Sequence, residues 1–269
     1  MTATIAPIQT VFLVGDRFAG FSAQDDVSTV TQFLADLQTG TYAEAGDPVL
    51  VQAAQGVTAF EWDLVREQIR RHGLASRLRA HLPATVLAGR GEVHKCLESN
   101  ALIADLHQVD DAFFRASLRV HNDNELLLDH QTGQHIQGMV AIEAARQMFL
   151  AVSERYFASR HPERNYYFVI ESMNTDFENF LFPLDATIEY RIEDQRIDDP
   201  SRLSFTVEIG VVQAGRRASV TRVAFTAFDS HVIKAKEGKR ARHAVEHLAQ
   251  RADAGAGVAA PAGQDLVGV

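Results

Sequence analysis

Residues 138–157 read Gly138-Met-Val-Ala-Ile-Glu143-Ala-Ala-Arg146-Gln147-Met-Phe-Leu-Ala-Val-Ser-Glu154-Arg-Tyr-Phe157. The stretch holds no proline, and no glycine after its first residue. It is rich in alanine, methionine and leucine, which favour a helix. Apolar positions run round most of the helical circumference instead of forming one stripe, so this helix is expected to be enclosed on most sides. The flanking sequence must supply the enclosure.

Upstream, Ala101–His107 and Phe113–Val120 read as two strands, with Asp110-Asp111 as the turn between them. Downstream, Ile188, Tyr190 and Ile192 alternate with polar residues, as do Leu203, Phe205, Val207 and Ile209. That period of two marks half-buried strands. Gln213-Ala-Gly-Arg-Arg217 is a hairpin turn into a last strand, Ala218–Phe228. A long helix set within antiparallel strands buries itself only if the sheet curls around it. The pattern therefore predicts an α+β class with a hotdog fold over residues 86–230. One such sheet leaves an edge open, and edges are usually paired. A homodimer is expected for that reason.

Residues 1–85 have a different pattern. Val11-Phe-Leu-Val14 reads as a buried strand closed by Gly15-Asp16. Asp26 or Ser28 is expected to cap a helix carrying Val30, Phe33, Leu34 and Leu37 and stopped by Gly40. Val49-Leu-Val51 reads as a second strand, and Thr58 opens a helix that ends at Gly73. The order β-α-β-α predicts a small parallel α/β domain. Residues 231–269 form a tail, expected to be partly helical or disordered, with five Lys or Arg against two Glu over 231–247.

Composition narrows the function. The 269 residues are 46% hydrophobic and 23% charged, which is ordinary globular chemistry. A formal charge of −9 argues against general nucleic-acid binding, since phosphate contact wants a basic excess. A single cysteine excludes an intrachain disulfide and a cysteine-rich zinc site. No basic residue precedes Arg17, so no signal peptide is expected, and no apolar run reaches the length of about 18 residues that a membrane helix needs. A cytoplasmic protein without membrane partners is the expectation.

The chemically dense segment is the entrance to the long helix. Asp129-His130-Gln-Thr-Gly-Gln-His135-Ile-Gln precedes Gly138, and Glu143 follows one to two turns in. Free backbone N–H groups and the positive dipole end lie at such an entrance. Imidazole, carboxylate and helix terminus together offer acid–base chemistry and an electrophilic cradle for a thioester carbonyl. A plainer reading stands beside it. Glu143, Arg146, Gln147 and Glu154 share a helical face that a solvated stripe with i,i+3 and i,i+4 pairs would also produce. His130 and His135 would then be loop residues that cap backbone groups. The spacing matches no standard zinc motif, and neither a metal nor a cofactor is expected.

Several motifs resemble the A-factor biosynthesis hotdog family. They are Val93-His-Lys95, Asn100-Ala-Leu-Ile, Asp129-His130, Thr132-Gly-Gln-His135-Ile-Gln-Gly-Met139, Ile142-Glu-Ala-Ala-Arg-Gln147 and Phe177-Glu-Asn-Phe-Leu-Phe-Pro183. The resemblance covers about residues 90–230. It implies transfer of a β-ketoacyl group from acyl-carrier protein to a hydroxyl acceptor, as in γ-butyrolactone signal synthesis or related secondary metabolism. Within it, Glu143 with His130 or His135 is expected to be catalytic. Gly138, Met139, Arg146 and Gln147 are expected to bind substrate, a thioester of acyl-carrier protein or CoA. The segment is more distantly similar to hotdog dehydratases, in which a loop His and a helix carboxylate come from two subunits. Dehydration, thioester hydrolysis and non-catalytic acyl binding remain alternatives. The butyrolactone-forming members carry two hotdog units in tandem, whereas this motif occurs once.

Other features are expected to be structural. Gly15–Gly20 reads as a strand-to-helix turn. Cys96, beside a strand start at Val93, is expected to be buried and inert. Arg70-Arg71 with Arg77 and Arg79, and Arg216-Arg217 with Arg222, read as solvated clusters or as docking patches for an acidic carrier protein.

Overall fold

A computed structural model describes residues 9–43, 46–128 and 133–256. Four parallel strands come first, β1 (Gln9–Val14), β2 (Val27–Thr29), β3 (Val49–Ala53) and β4 (Leu78–His81), in the order β2-β1-β3-β4. Helices α1 (Val30–Thr39) and α2 (Ala59–Arg71) pack on one face. Val30, Phe33 and Leu37 of α1, and Trp62, Val65 and Ile69 of α2, recur at helical spacing. They meet Val11, Leu13, Val49, Val51 and Ala53 in one buried cluster. The cap of α1 is Thr29, not Asp26 or Ser28. Its side chain accepts from Gln32 N at 3.1 Å, and Gln32 Oε1 accepts from Thr29 N at 3.1 Å. Ser28 is drawn into β2, beside β1, so its hydroxyl is not placed to cap. Thr58 and Glu61 build the same reciprocal cap on α2. Each such cap stabilises by roughly 1 kcal/mol.

The second sheet holds β5 (Ile103–Gln108), β6 (Phe113–Leu118), β7 (Tyr166–Phe177), β8 (Thr187–Arg196), β9 (Arg202–Gln213) and β10 (Arg216–Asp229). It is antiparallel, in the order β5-β6-β8-β9-β10-β7. A one-turn helix α3 (Glu125–Leu128) precedes α4 (Gly138–Tyr156), the long helix. All six strands contact α4. Ala141, Ala144, Ala145 and Ala151 are buried and let it lie close to the sheet, while Phe149 stacks on Phe225 with centroids 4.4 Å apart. This is the predicted hotdog arrangement.

The two sheets are locked together. Val14, Phe18, Phe21 and Ala54 belong to the core around α4, not to the core under α1 and α2. Gln55, fully buried, donates through Nε2 to Leu118 O at 2.9 Å and accepts through Oε1 from Val120 N at 2.8 Å. Gly56 N donates to Val120 O. A Cβ on Gly15 would stand 2.6 Å from Gly56 O, so glycine is required for this approach.

The two edges of the large sheet differ. Residues 86–88 lie along β5, where Ala88 N donates to Ile103 O and Asp105 N to Val86 O. The β7 edge has no extended segment paired along it among the described residues; α5 contacts the start of the strand, where Tyr167 hydrogen-bonds Glu237, and Ile170 and Phe177 are exposed.

Ser230–Ala256 form one helix, α5, the helical part of the tail, and residues 257–269 lie outside the described residues. Among the described residues, no helix is long and apolar enough to cross a membrane. Cys96 is exposed, against expectation. Val93 lies in a turn and not at a strand start, so only Val93 points into the core and the residues after it turn outward.

Candidate functional site

The α4 entrance is anchored on both sides. Ile136 N donates to Leu181 O at 2.7 Å, and Gln137 Nε2 donates to Leu126 O. Gln137 is the N-cap in an extended conformation, and among the described residues no side chain caps the helix. Among the described residues, the N–H groups of Gly138 and Met139 have no partner outside the helix. A Cβ on Gly138 would stand 2.8 Å from the ring of Phe177, an exposed side chain that would have to move aside. A cleft of about 530 Å³ opens beside Gly138, lined among others by His135, Ala141, Phe177, Asn179 and Ser219. His135 is half-buried, with its ring 5.2 Å from that of Phe180, which is 70% exposed. Met139 is exposed and does not line the cleft. His130, together with Asp129 and Thr132, lies outside the described residues.

Glu143 sits on a different side of α4, about 140° round the helix from Gly138. Lys95 Nζ lies 2.7 Å from its Oε1, Gln147 Nε2 donates to the same oxygen at 3.1 Å, and Arg146 Nε donates to Oε2 at 2.9 Å. Burial pushes the Glu143 carboxyl upward, but the donors Arg146, Lys95 and Gln147 outweigh it and hold the group below the usual carboxylate range. Gln147 is fully buried; its Oε1 accepts from Leu102 N at 2.8 Å and its Nε2 donates to Asn100 O at 2.8 Å. A solvated stripe is therefore excluded at Glu143 and Gln147. The amide of Gln147 is engaged by backbone and carboxylate. No hydrogen bond joins His135 to Glu143 among the described residues.

Three participants were not singled out as site residues in the sequence. Lys95 and Asn100 are brought to α4 by the turn before β5, and their segments were visible only within the motifs Val93-His-Lys95 and Asn100-Ala-Leu-Ile. Ser219, on β10, is buried in the cleft wall, and its hydroxyl has no partner among the described residues. Nothing in its local sequence marks it. The arginine clusters are mostly satisfied internally. Arg70 and Arg71 pair with Glu67, Arg217 and Arg222 with Glu208, and Arg77 turns inward to Tyr42 O.

The family profile described as AfsA, A-factor biosynthesis hotdog domain, matches residues 76–229. The chain belongs to the A-factor biosynthesis hotdog family. The family region begins ten residues before the boundary read from the sequence and takes in β4, a strand of the parallel sheet. The described parts of the motifs that resemble this family lie at two places, the cleft at the α4 entrance and the Lys95–Glu143 cluster. No curated protein matches the sequence. Among solved structures, a mutant thioesterase from Pseudomonas aeruginosa is 16% identical, with 47% of this chain and 81% of that chain covered at a TM-score of 0.35. A thioesterase from Haemophilus influenzae is 13% identical, with 46% of this chain and 77% of that chain covered at a TM-score of 0.33.

Proposed function

We propose that this member of the A-factor biosynthesis hotdog family is an acyltransferase. It moves a β-ketoacyl group from an acyl-carrier-protein thioester to a hydroxyl acceptor, in signal or secondary-metabolite synthesis. The observation that carries this reading is the cleft beside Gly138, where the N-terminus of α4, without a side-chain cap among the described residues, and the His135 imidazole share one wall. The thioester carbonyl oxygen takes the N–H group of Gly138 at the cleft wall, which stabilises the developing oxyanion. His135 accepts the acceptor's hydroxyl proton as that oxygen bonds to the carbonyl carbon. The C–S bond then breaks, and the proton passes from His135 to the leaving sulfur. The step is redox-neutral and needs no metal.

A carboxylate held below its usual range is a weak base. The base role expected of Glu143 therefore passes to His135, and Glu143 serves as the fixed anion. One chain leaves the two groups apart, so the complete site is assigned to a homodimer paired through the open β7 edge. His135 of one protomer then approaches the Glu143 anion of its partner.

The test is an assay of the purified protein with a β-ketoacyl-carrier protein and a hydroxyl acceptor, following ester and free thiol. Ester formed only in the presence of acceptor is expected. His135→Ala should lower kcat by about 10²-fold or more. Free acid without acceptor dependence, an enoyl product when a 3-hydroxyacyl thioester is offered instead, or unchanged turnover in His135→Ala overturns the reading.

A further inference from the structure

Neither the fold nor the transfer step uses the Ser219 hydroxyl. The residue is 1% exposed, and its Oγ has no partner among the described residues. Strand register fixes where it points. Ser219 lies opposite Phe177 of β7 on one side and opposite Val211 of β9 on the other. Directly opposed residues project to the same face of a sheet. The Phe177 ring packs on Gly138, and Val211 belongs to the core around α4. The Ser219 side chain is therefore directed at the α4 entrance, and the residue lines the cleft beside Gly138. Thr221, the next residue along the same face, is satisfied in the ordinary way: its Oγ1 lies 2.9 Å from Thr175 Oγ1, and the two hydroxyls share a hydrogen bond. Of the buried side-chain atoms without a partner among the described residues, only the Ser219 hydroxyl belongs to a residue of this cleft.

A buried hydroxyl left unpaired is a net cost to the folded protein, and a ligand that supplies the missing partner removes that cost. The rest of the buried wall is apolar: Ile136, Ala141, Leu181 and Ala218. Glu178 and Asn179 are exposed at the mouth, where Asn179 Nδ2 already donates to Arg217 O at 2.7 Å. One placed polar group in an apolar wall is how a small-molecule site fixes the orientation of its ligand. With the thioester carbonyl carbon C1 at Gly138 and the acceptor arriving at the half-buried His135, the acyl carbons beyond C1 run along the buried wall. An oxygen on C3 is the first polar group that such a chain carries there. We propose that Ser219 is the specificity-determining residue of this cleft: its hydroxyl hydrogen-bonds an oxygen on C3, so a 3-oxygenated acyl chain is taken in preference to a saturated one. A hydroxyl both donates and accepts, so the residue recognises a 3-oxo and a 3-hydroxy group alike. The inference rests on the transfer reading for the position of C1 and adds to it the group that selects the acyl chain.

The experiment measures binding to the full chain by calorimetry, with unreactive amide analogues of acyl-pantetheine, so it does not depend on turnover. The probes are the 3-oxooctanoyl, 3-hydroxyoctanoyl and octanoyl amides. In the parent, both 3-oxygenated probes are expected to bind more tightly than the octanoyl amide by about tenfold or more, the scale of one hydrogen bond gained in a buried site. Ser219→Ala should bring both down to the affinity of the octanoyl amide, which itself changes by less than about twofold. The thermal midpoint of the variant should equal or exceed the parent's, since the hydroxyl removed had no partner. A serine with a purely structural role would instead lower the midpoint and weaken all probes alike, and that result overturns the assignment. So does equal binding of the probes in the parent, no binding of any, or a preference that survives in Ser219→Ala. If ester forms and the preference survives in the variant, the Ser219 assignment falls and the transfer reading stands. If the preference follows the variant and no ester forms, the transfer reading falls and the Ser219 assignment stands.

Discussion

Lys95 Nζ stands 2.7 Å from Glu143 Oε1, which ties the turn before β5 to the second turn of α4. The carboxylate thereby draws one cation from its own helix and one from a distant segment. The folded-state pKa of Glu143 is depressed, so its contribution to stability is present above the usual carboxylate range and is lost as pH falls through the folded value. Thermal unfolding followed from neutral pH down to about pH 3 should show Glu143→Gln less acid-sensitive than the parent. At neutral pH the variant should be less stable by about 1–3 kcal/mol, because two part-buried cations lose their partner. Parallel acid profiles for the two proteins would refute the role.

Gln147 holds β5 against α4. Gln147→Leu leaves Leu102 N and Asn100 O without their side-chain partner. Denaturant unfolding should report a loss of about 2–4 kcal/mol, the cost of two buried polar groups left unpaired. A loss under about 0.5 kcal/mol, the scale of an ordinary surface substitution, would show that the bonds are dispensable.

Gln55 couples the two sheets. In Gln55→Leu, Val120 N and Leu118 O lose their side-chain partner. Calorimetry should show a lower midpoint, by about 2–4 kcal/mol in stability, and a broadened or split transition as the parallel unit uncouples. One sharp transition at the parental temperature would refute the coupling.

Gly138 and Phe177 form a size-matched pair. Gly138→Ala drives its Cβ into the Phe177 ring, an exposed side chain that can swing away. Stability should change little, while thioester turnover should fall as the ring moves into the cleft. The double variant Gly138→Ala/Phe177→Ala should recover part of that activity. Failure of the second substitution to restore any turnover would separate the glycine from the ring.

The open β7 edge predicts the assembly. Sedimentation velocity should give a dimer for the parent. The double variant Tyr167→Lys/Ile170→Lys should give a monomer, because charge on an edge strand opposes edge-to-edge pairing. A monomeric parent, or a dimer unaffected by both lysines, would rule out assembly through this edge.

Much of the fold was legible because it rests on local pattern. The enclosed helix 138–156 announced itself by apolar residues on nearly every side, and β8 and β9 by strict alternation. The helix starting after Thr58 was legible from its capping residue and the stop at Gly40 from the glycine itself, which takes the left-handed φ of 80°. The errors arose where neighbouring signals competed. Ser28 and Asp26 are as good capping types as Thr29, and only the pairing of Val27–Thr29 with β1 chose between them. Cys96 was misplaced because an apolar Val93 does not say whether its neighbours continue a strand or turn away.

The site was less legible. Sequence alone determined that imidazole and glycine adjoin at one helix entrance, since adjacency along the chain sets that; it did not show that Glu143 faces another side of the helix. It also determined that the helix is interior, because so many apolar groups in a row find no other way out of water. Tertiary structure alone decided that Glu143 is an ionised anion held by Lys95, because a pKa depends on donors that arrive from 48 residues away. It likewise decided that Gln147 is engaged by the backbone of Asn100 and Leu102. Those facts depend on where distant segments meet in space, and residue spacing along the chain carries no record of that meeting.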